Sequence, residues 1–189
     1  MDKYLKYKSK YFNLKRTNNK TYVEFITKSD EPIRVSVSDI ETIDNLIKQH
    51  LHHLTDSLLC LDFHGITDLY GDNEMIPSRL PKCIISYIGG SPKTIKSTIE
   101  TIKPRVMSNE VIMGIIVYNK NNLPTCGTKG WIINKMLEHN DKLSIYFIDD
   151  SEKNVQCVNN VGSNKIKTFY VDKNKNPRKY LDKILLSLN

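Results

Sequence analysis

Apolar and polar positions alternate over residues 21–27 and again over 32–37, with Lys28-Ser29-Asp30-Glu31 between them, and this period of two predicts a β-hairpin. The period then changes. Ile40, Ile43, Leu46, Ile47 and Leu51 recur at helical spacing behind Ser38-Asp39-Ile40-Glu41, which reads as a capping box: the Ser38 hydroxyl takes an orphan N–H and Glu41 reaches back. Further on, three short apolar runs each stop at a polar group: 58–61 at Asp62, 83–85 at Ser86, and 143–148 at Asp149-Asp150. Another strand is predicted over 111–118. Helices are predicted from about Pro92, from Thr128-Lys129-Gly130, and behind the cap Asn176-Pro177, where Tyr180, Leu181, Ile184, Leu185 and Leu188 make the buried side. Short strands alternating with helices predict a three-layer α/β/α, Rossmann-like domain with a parallel sheet over residues 56–189. Residues 1–55 are read as an extension made of a basic helix, the hairpin and a helix.

Strand ends are where such sheets place their chemistry, because ligands bind outside the carboxyl ends of the strands. Asp62, one step past a buried strand and followed by the turn residue Gly65, is therefore the first candidate functional residue. Asp149 and Asp150 end a second strand, with Asn154 shortly after. Two acidic strand ends suggest a hard cation, and Mg²⁺ takes carboxylate oxygens and is usually completed by substrate phosphate. Gly89-Gly90-Ser91-Pro92 is a flexible turn into a helix whose N–H groups can receive a phosphate oxygen or serve only as punctuation.

The order of carboxylate, hydroxyl, lysine and paired carboxylates resembles the haloacid dehalogenase-like superfamily, over about residues 57–160. Its signature is a strand ending in DxDGx(T/V), a second ending in Ser or Thr, a helix-borne Lys, and a strand ending in DD or GD with a later Asp or Asn. The resemblance implies that Asp62 attacks phosphorus and becomes a phosphoaspartate, that Ser86 hydrogen-bonds the phosphoryl group, and that Lys129 offsets its charge. It also implies that Asp62, Asp149, Asp150 and the backbone carbonyl of His64 hold Mg²⁺, with Asn154 orienting them. One position departs from the pattern: the family's second Asp, an acid and base, is replaced by His64. Histidine, with an ordinary pKa of about 6.5, can serve as acid or base itself. The expected activity is Mg²⁺-dependent phosphomonoester hydrolysis, slow if His64 is a poor substitute. The alternative is a catalytically degenerate module that binds nucleic acid or a protein partner.

Substrate access follows from spacing. Residues 69–82 leave no room for a helical cap, and none is found between Ser86 and Lys129, so a capless phosphatase-type member is expected. Within the superfamily, open sites accompany bulky or macromolecular phosphorylated substrates. A formal net charge of +7 and a pI near 9.1 permit polyanion partners without requiring one, and a lysine excess equally serves solubility. The opening segment, residues 3–16, interleaves Tyr4, Leu5, Tyr7, Tyr11, Phe12 and Leu14 with cations, which suits a helix docked on the domain, a nucleic-acid contact or a membrane-surface helix. Its style resembles proteins of large DNA viruses, which would place it in host cytoplasm. Cys60, Cys83, Cys126 and Cys157 lack metal or disulfide spacing and read as reduced thiols. His50, His52 and His53 have no partner cluster and read as a helix-end trio. No apolar run approaches the roughly 18 residues of a membrane span, so an intracellular, soluble protein is expected.

Overall fold

The computed structural model describes residues 21–29, 31–71, 74–119 and 127–188. Seven strands form one sheet: β1 (Thr21–Ile26), β2 (Ile33–Ser36), β3 (Ser57–Leu61), β4 (Lys82–Gly89), β5 (Met113–Asn119), β6 (Ser144–Asp149) and β7 (Ile166–Tyr170). Their order is β2-β1-β5-β4-β3-β6-β7. The five strands β5-β4-β3-β6-β7 are mutually parallel, whereas β1 is antiparallel to both β5 and β2. The hairpin thus widens the sheet at its β5 edge. Five helices are seen among the described residues: α1 (Ile40–Leu51), α2 (Pro92–Met107), α3 (Gly127–His139), α4 (Glu152–Asn159) and α5 (Pro177–Ser187).

Alternation along each central strand divides the apolar side chains between two faces. Leu58 and Cys60 of β3, Cys83 and Ile85 of β4, and Ile145 and Phe147 of β6 share a core with α1, α3 and α4. Ile84 and Ile88 pack against Ile95, Ile102 and Val106 of α2, and Leu59, Leu61 and Ile148 against Leu181, Ile184 and Leu185 of α5. The result is the expected α/β protein with three layers, Rossmann-like in architecture. At Gly114 of β5 a Cβ would stand 2.5 Å from the Ile102 side chain, so that glycine lets α2 approach the sheet.

Several local expectations shift. The cap of α1 is Asp39, whose side chain accepts from the Thr42 N–H, while Ser38 pairs with the Ser36 hydroxyl at 2.7 Å; the capping box was read one residue early. Tyr180 is exposed and Leu188 only half-buried, leaving Leu181, Ile184 and Leu185 to anchor α5. Cys60 and Cys83 are free and buried, but Cys157 is disulfide-bonded, contrary to the expectation of four reduced thiols. His50 and His52 turn their Nδ1 atoms to carbonyls of α1, as suits a helix-end trio. The basic segment 3–16, the loop around Pro124 and Cys126 lie outside the described residues. No helix among the described residues is long and apolar enough to cross a membrane.

Candidate functional site

β3 ends at Leu61, and Asp62 is still tied to the sheet through its N–H to Ile148 O at 2.9 Å. The turn that follows holds it further, because Thr67 donates its hydroxyl to the Asp62 carbonyl at 2.6 Å. The carboxylate Oδ1 accepts the Phe63 N–H at 2.8 Å and the Lys129 ammonium at 2.7 Å. No described residue donates to Oδ2. One oxygen is thus locked and the other has free lone pairs.

Lys129 reaches the sheet from the first turn of α3, on the same face as Ile132, Ile133 and Met136. Its ammonium bridges Asp62 and Asp149 at 2.7 Å each, and all three groups are buried. Burial opposes the lysine charge, but the two carboxylates outweigh it and raise its pKa, so it stays protonated. Asp149 is saturated: beyond Lys129 it accepts the Ser151 N–H at 2.8 Å and the Asn154 amide on both oxygens at 3.1 and 3.0 Å. Asn154 therefore orients a carboxylate, and Ser151, which caps α4, assists.

Asp150 is half-buried and no described side chain donates a hydrogen bond to it. Gly65, at φ +78°, packs so closely that a Cβ there would lie 2.3 Å from Asp150 Oδ2. That glycine meets two demands at once, a left-handed backbone and space for a carboxylate. Asp62, Asp149 and Asp150 each offer an oxygen within 4.8 Å of the others. Oxygens opposite each other on one Mg²⁺ lie about 4.2 Å apart, so a small side-chain adjustment brings the open oxygens of Asp62 and Asp150 onto one ion, while the saturated Asp149 stays behind them. Charge favours a cation too, since three carboxylates outnumber the two ammonium groups that act on them, Lys129 and, at Asp150, Lys173. Burial first, and then the neighbouring Asp149, push Asp62 up to about 6 against the pull of Lys129, and the same two causes raise Asp150. An all-oxygen, net-negative donor set suits a hard divalent ion.

His64 lies on the turn between Asp62 and Gly65, half-exposed, its ring edge against Phe63 and its Nδ1 3.8 Å from Asp68 Oδ2. The interaction with Asp68 raises its pKa despite partial burial. Ser86 is different. β4 continues past it to Gly89 by pairing with β5, so Ser86 is a fully buried mid-strand residue instead of a strand end. Its neighbours Ile84 and Ile88 face α2, which puts its hydroxyl on the side of the sheet away from Lys129, and that hydroxyl has no partner. The structure thus gathers Asp62, Lys129, Asp149, Asp150 and Asn154, sets His64 at their edge, and joins Ser86 to none of them by a contact.

Sequence reasoning missed three contributors. Thr67 and Ser151 had a visible signal, a hydroxyl at a turn and at a helix start. Tyr87, whose ring lies 5.8 Å from Lys129 Nζ, had none beyond β-alternation. The loop from Tyr70 to Lys82 has no cap domain and is clamped: Arg105 donates to the carbonyls of Tyr70, Gly71 and Glu74, and Arg178 to Leu69 O and the Glu74 carboxylate.

Comparison with protein-family models, curated proteins and solved structures returns no match. What architecture and site define together is an α/β, Rossmann-like protein with an acidic cluster at the carboxyl ends of adjacent parallel strands.

Proposed function

We propose that this protein is a Mg²⁺-dependent phosphotransferase, a divergent haloacid dehalogenase-like phosphatase in which Asp62 is the nucleophile. The observation that carries the reading is the state of Asp62: Oδ1 pinned by Lys129 and the Phe63 N–H, Oδ2 free, and Asp150 within reach of the same cation. Supporting it, the acidic strands β3 and β6 are adjacent and parallel, as the resemblance requires.

In the proposed reaction Asp62 Oδ2 attacks phosphorus, forming an acyl phosphate while the bond to the leaving oxygen breaks. His64, whose Nδ1 lies 3.8 Å from Asp68, gives that oxygen a proton and then accepts one from the water that cleaves the acyl phosphate, releasing inorganic phosphate and regenerating Asp62. Lys129 fixes the nucleophile and offsets charge as the phosphoryl group approaches. Bound Mg²⁺ would be held by Asp62 and Asp150, with Asp149 anchoring Lys129, and would supply positive charge to the transferring phosphoryl oxygens. The absence of a cap between Asp62 and β4, with its loop clamped by two arginines, suits a bulky phosphoester.

The test is turnover of an aryl and an alkyl phosphate with and without Mg²⁺. Aryl leaving groups need little protonation, so wild-type activity should favour the aryl ester, His64→Asp should raise alkyl turnover by about tenfold or more, and Asp62→Asn should abolish both. No Mg²⁺-dependent turnover by wild type, unrescued by His64→Asp, would leave the binding module as the better reading.

A further inference from the structure

Resting on that reading is a role for β4 that neither the family resemblance nor the scheme above includes. The resemblance asks for a hydroxyl at the end of this strand, but the Ser86 hydroxyl is sealed into the α2 face of the sheet. The next residue is Tyr87. Alternation along β4 turns it to the opposite face, where it packs on the core shared with α1 and α3, and the Lys129 ammonium stands over its ring, 5.8 Å from the centroid. β4 also outreaches its neighbour. Leu61, the last residue of β3, is level with Ile84, so Asp62 is level with Ile85, and Tyr87 stands two residues, about 6–7 Å, further toward the carboxyl end.

Tyr87 is half-buried, and no described residue pairs with its hydroxyl, which unlike that of Ser86 is open to solvent. Burial first, and then Asp149 and Asp62, hold the phenol above its ordinary pKa against the pull of Lys129, so near neutral pH it is protonated and can donate. The three charges that act on it are those that define the site. Sheet order fixes the sides: β3 lies between β4 and β6, so Tyr87 flanks Asp62 on one side and Asp149 with Asp150 on the other. Asp150, the partner of Asp62 in holding a cation, belongs to the β6 side, which leaves the β4 side of Asp62 to the other oxygens of a phosphoryl group. We propose that the Tyr87 hydroxyl donates to a non-bridging oxygen of that group, doing from the lysine face of β4 what the Ser86 hydroxyl cannot do from the other.

The experiment compares wild type, Tyr87→Phe and Ser86→Ala in the full chain with Mg²⁺, measuring kinetics on p-nitrophenyl phosphate, inhibition by inorganic phosphate, and melting temperature with and without that phosphate. Phenylalanine keeps the ring and its contact with Lys129 and removes only a hydroxyl open to solvent, so it should melt within about 2 °C of wild type. Its kcat/KM should fall, and its phosphate inhibition constant rise, by about tenfold to a hundredfold, the usual consequence of losing a hydrogen bond to a charged group. Phosphate should also raise its melting temperature less than that of wild type, a reading of binding that needs no turnover. A larger drop in melting temperature without phosphate means that the hydroxyl is held within the protein, and overturns the proposal. Wild-type kcat/KM and phosphate inhibition in Tyr87→Phe overturn the role of Tyr87 alone, as does a loss of phosphate binding in Ser86→Ala that Tyr87→Phe does not share. A wild type that neither turns over phosphoesters nor gains stability from phosphate overturns the phosphotransfer reading itself.

Discussion

Replacing Lys129 by methionine keeps the aliphatic stem and removes the one charge that separates Asp62 from Asp149. Those carboxylates are 6% and 0% exposed and have oxygens within 4.8 Å of each other. At that separation two unit charges repel by at least about 3.5 kcal/mol with an effective dielectric constant near 20. Breaking a buried ion pair by deleting one partner generally costs about 3–5 kcal/mol. For a chain of this size each kcal/mol moves the melting temperature by about 2–4 °C, so the variant should melt roughly 6–20 °C below wild type at neutral pH.

The sign of the pH dependence is a sharper test. Burial already holds Asp62 above its ordinary value with the lysine present, and removing the lysine raises it further. A carboxylate whose folded pKa lies above its unfolded value, about 3.9, costs nothing below that value and progressively more as pH climbs through the folded one. The gap between wild type and Lys129→Met should therefore be widest near pH 8, narrow steadily toward pH 5, and shrink when Mg²⁺ is added at high pH. Thermal melts followed by circular dichroism in EDTA and in Mg²⁺ give all three comparisons. A gap below about 2 °C at pH 8, or one indifferent to pH, would refute the view that this ammonium is the counterion of the strand-end acids.

Two further substitutions probe the scaffold around the site. Gly65 and Gly162 share φ +78°, but only at Gly65 would a Cβ strike Asp150; alanine at either should cost about 1–2 kcal/mol through backbone strain, while only Gly65→Ala should also lose the Mg²⁺-induced rise in melting temperature. Arg105→Met leaves Glu110 buried without its 2.7 Å partner and frees three loop carbonyls, so it should cost about 3–5 kcal/mol and make the segment around residues 70–81 more sensitive to limited proteolysis than in wild type.

The elements that read clearly in the sequence are those whose burial is one-sided or complete. β3, β4, β5 and β6 are continuous apolar runs because both sheet faces are covered, and α1 shows its stripe because one face alone is buried. β7 and α4 did not read. β7 is an edge strand, half-buried or exposed along its length, and α4 spans only eight residues with a weak apolar face. Neither carries enough hydrophobic pattern to announce itself.

Asp62, Asp149 and Asp150 were legible for a local reason, since an acid directly after a buried run has nowhere to point but out of the sheet's end. The sequence alone thus determined the layered α/β plan, the candidate acids and Lys129. It did not determine which side of the sheet each residue would serve, or which oxygens would remain free. Ser86 looked like a strand end until pairing with β5 carried β4 on to Gly89. Asp149 looked equivalent to Asp150 until Lys129, Asn154 and Ser151 filled its acceptor sites. Gly65 gained its importance from Asp150, a neighbour 85 residues distant in sequence. Periodicity records a residue's average environment along its own element, whereas hydrogen-bond saturation, close approach and charge balance depend on which elements meet; those were decided only when the sheet closed the distance between β3, β4, β6 and α3.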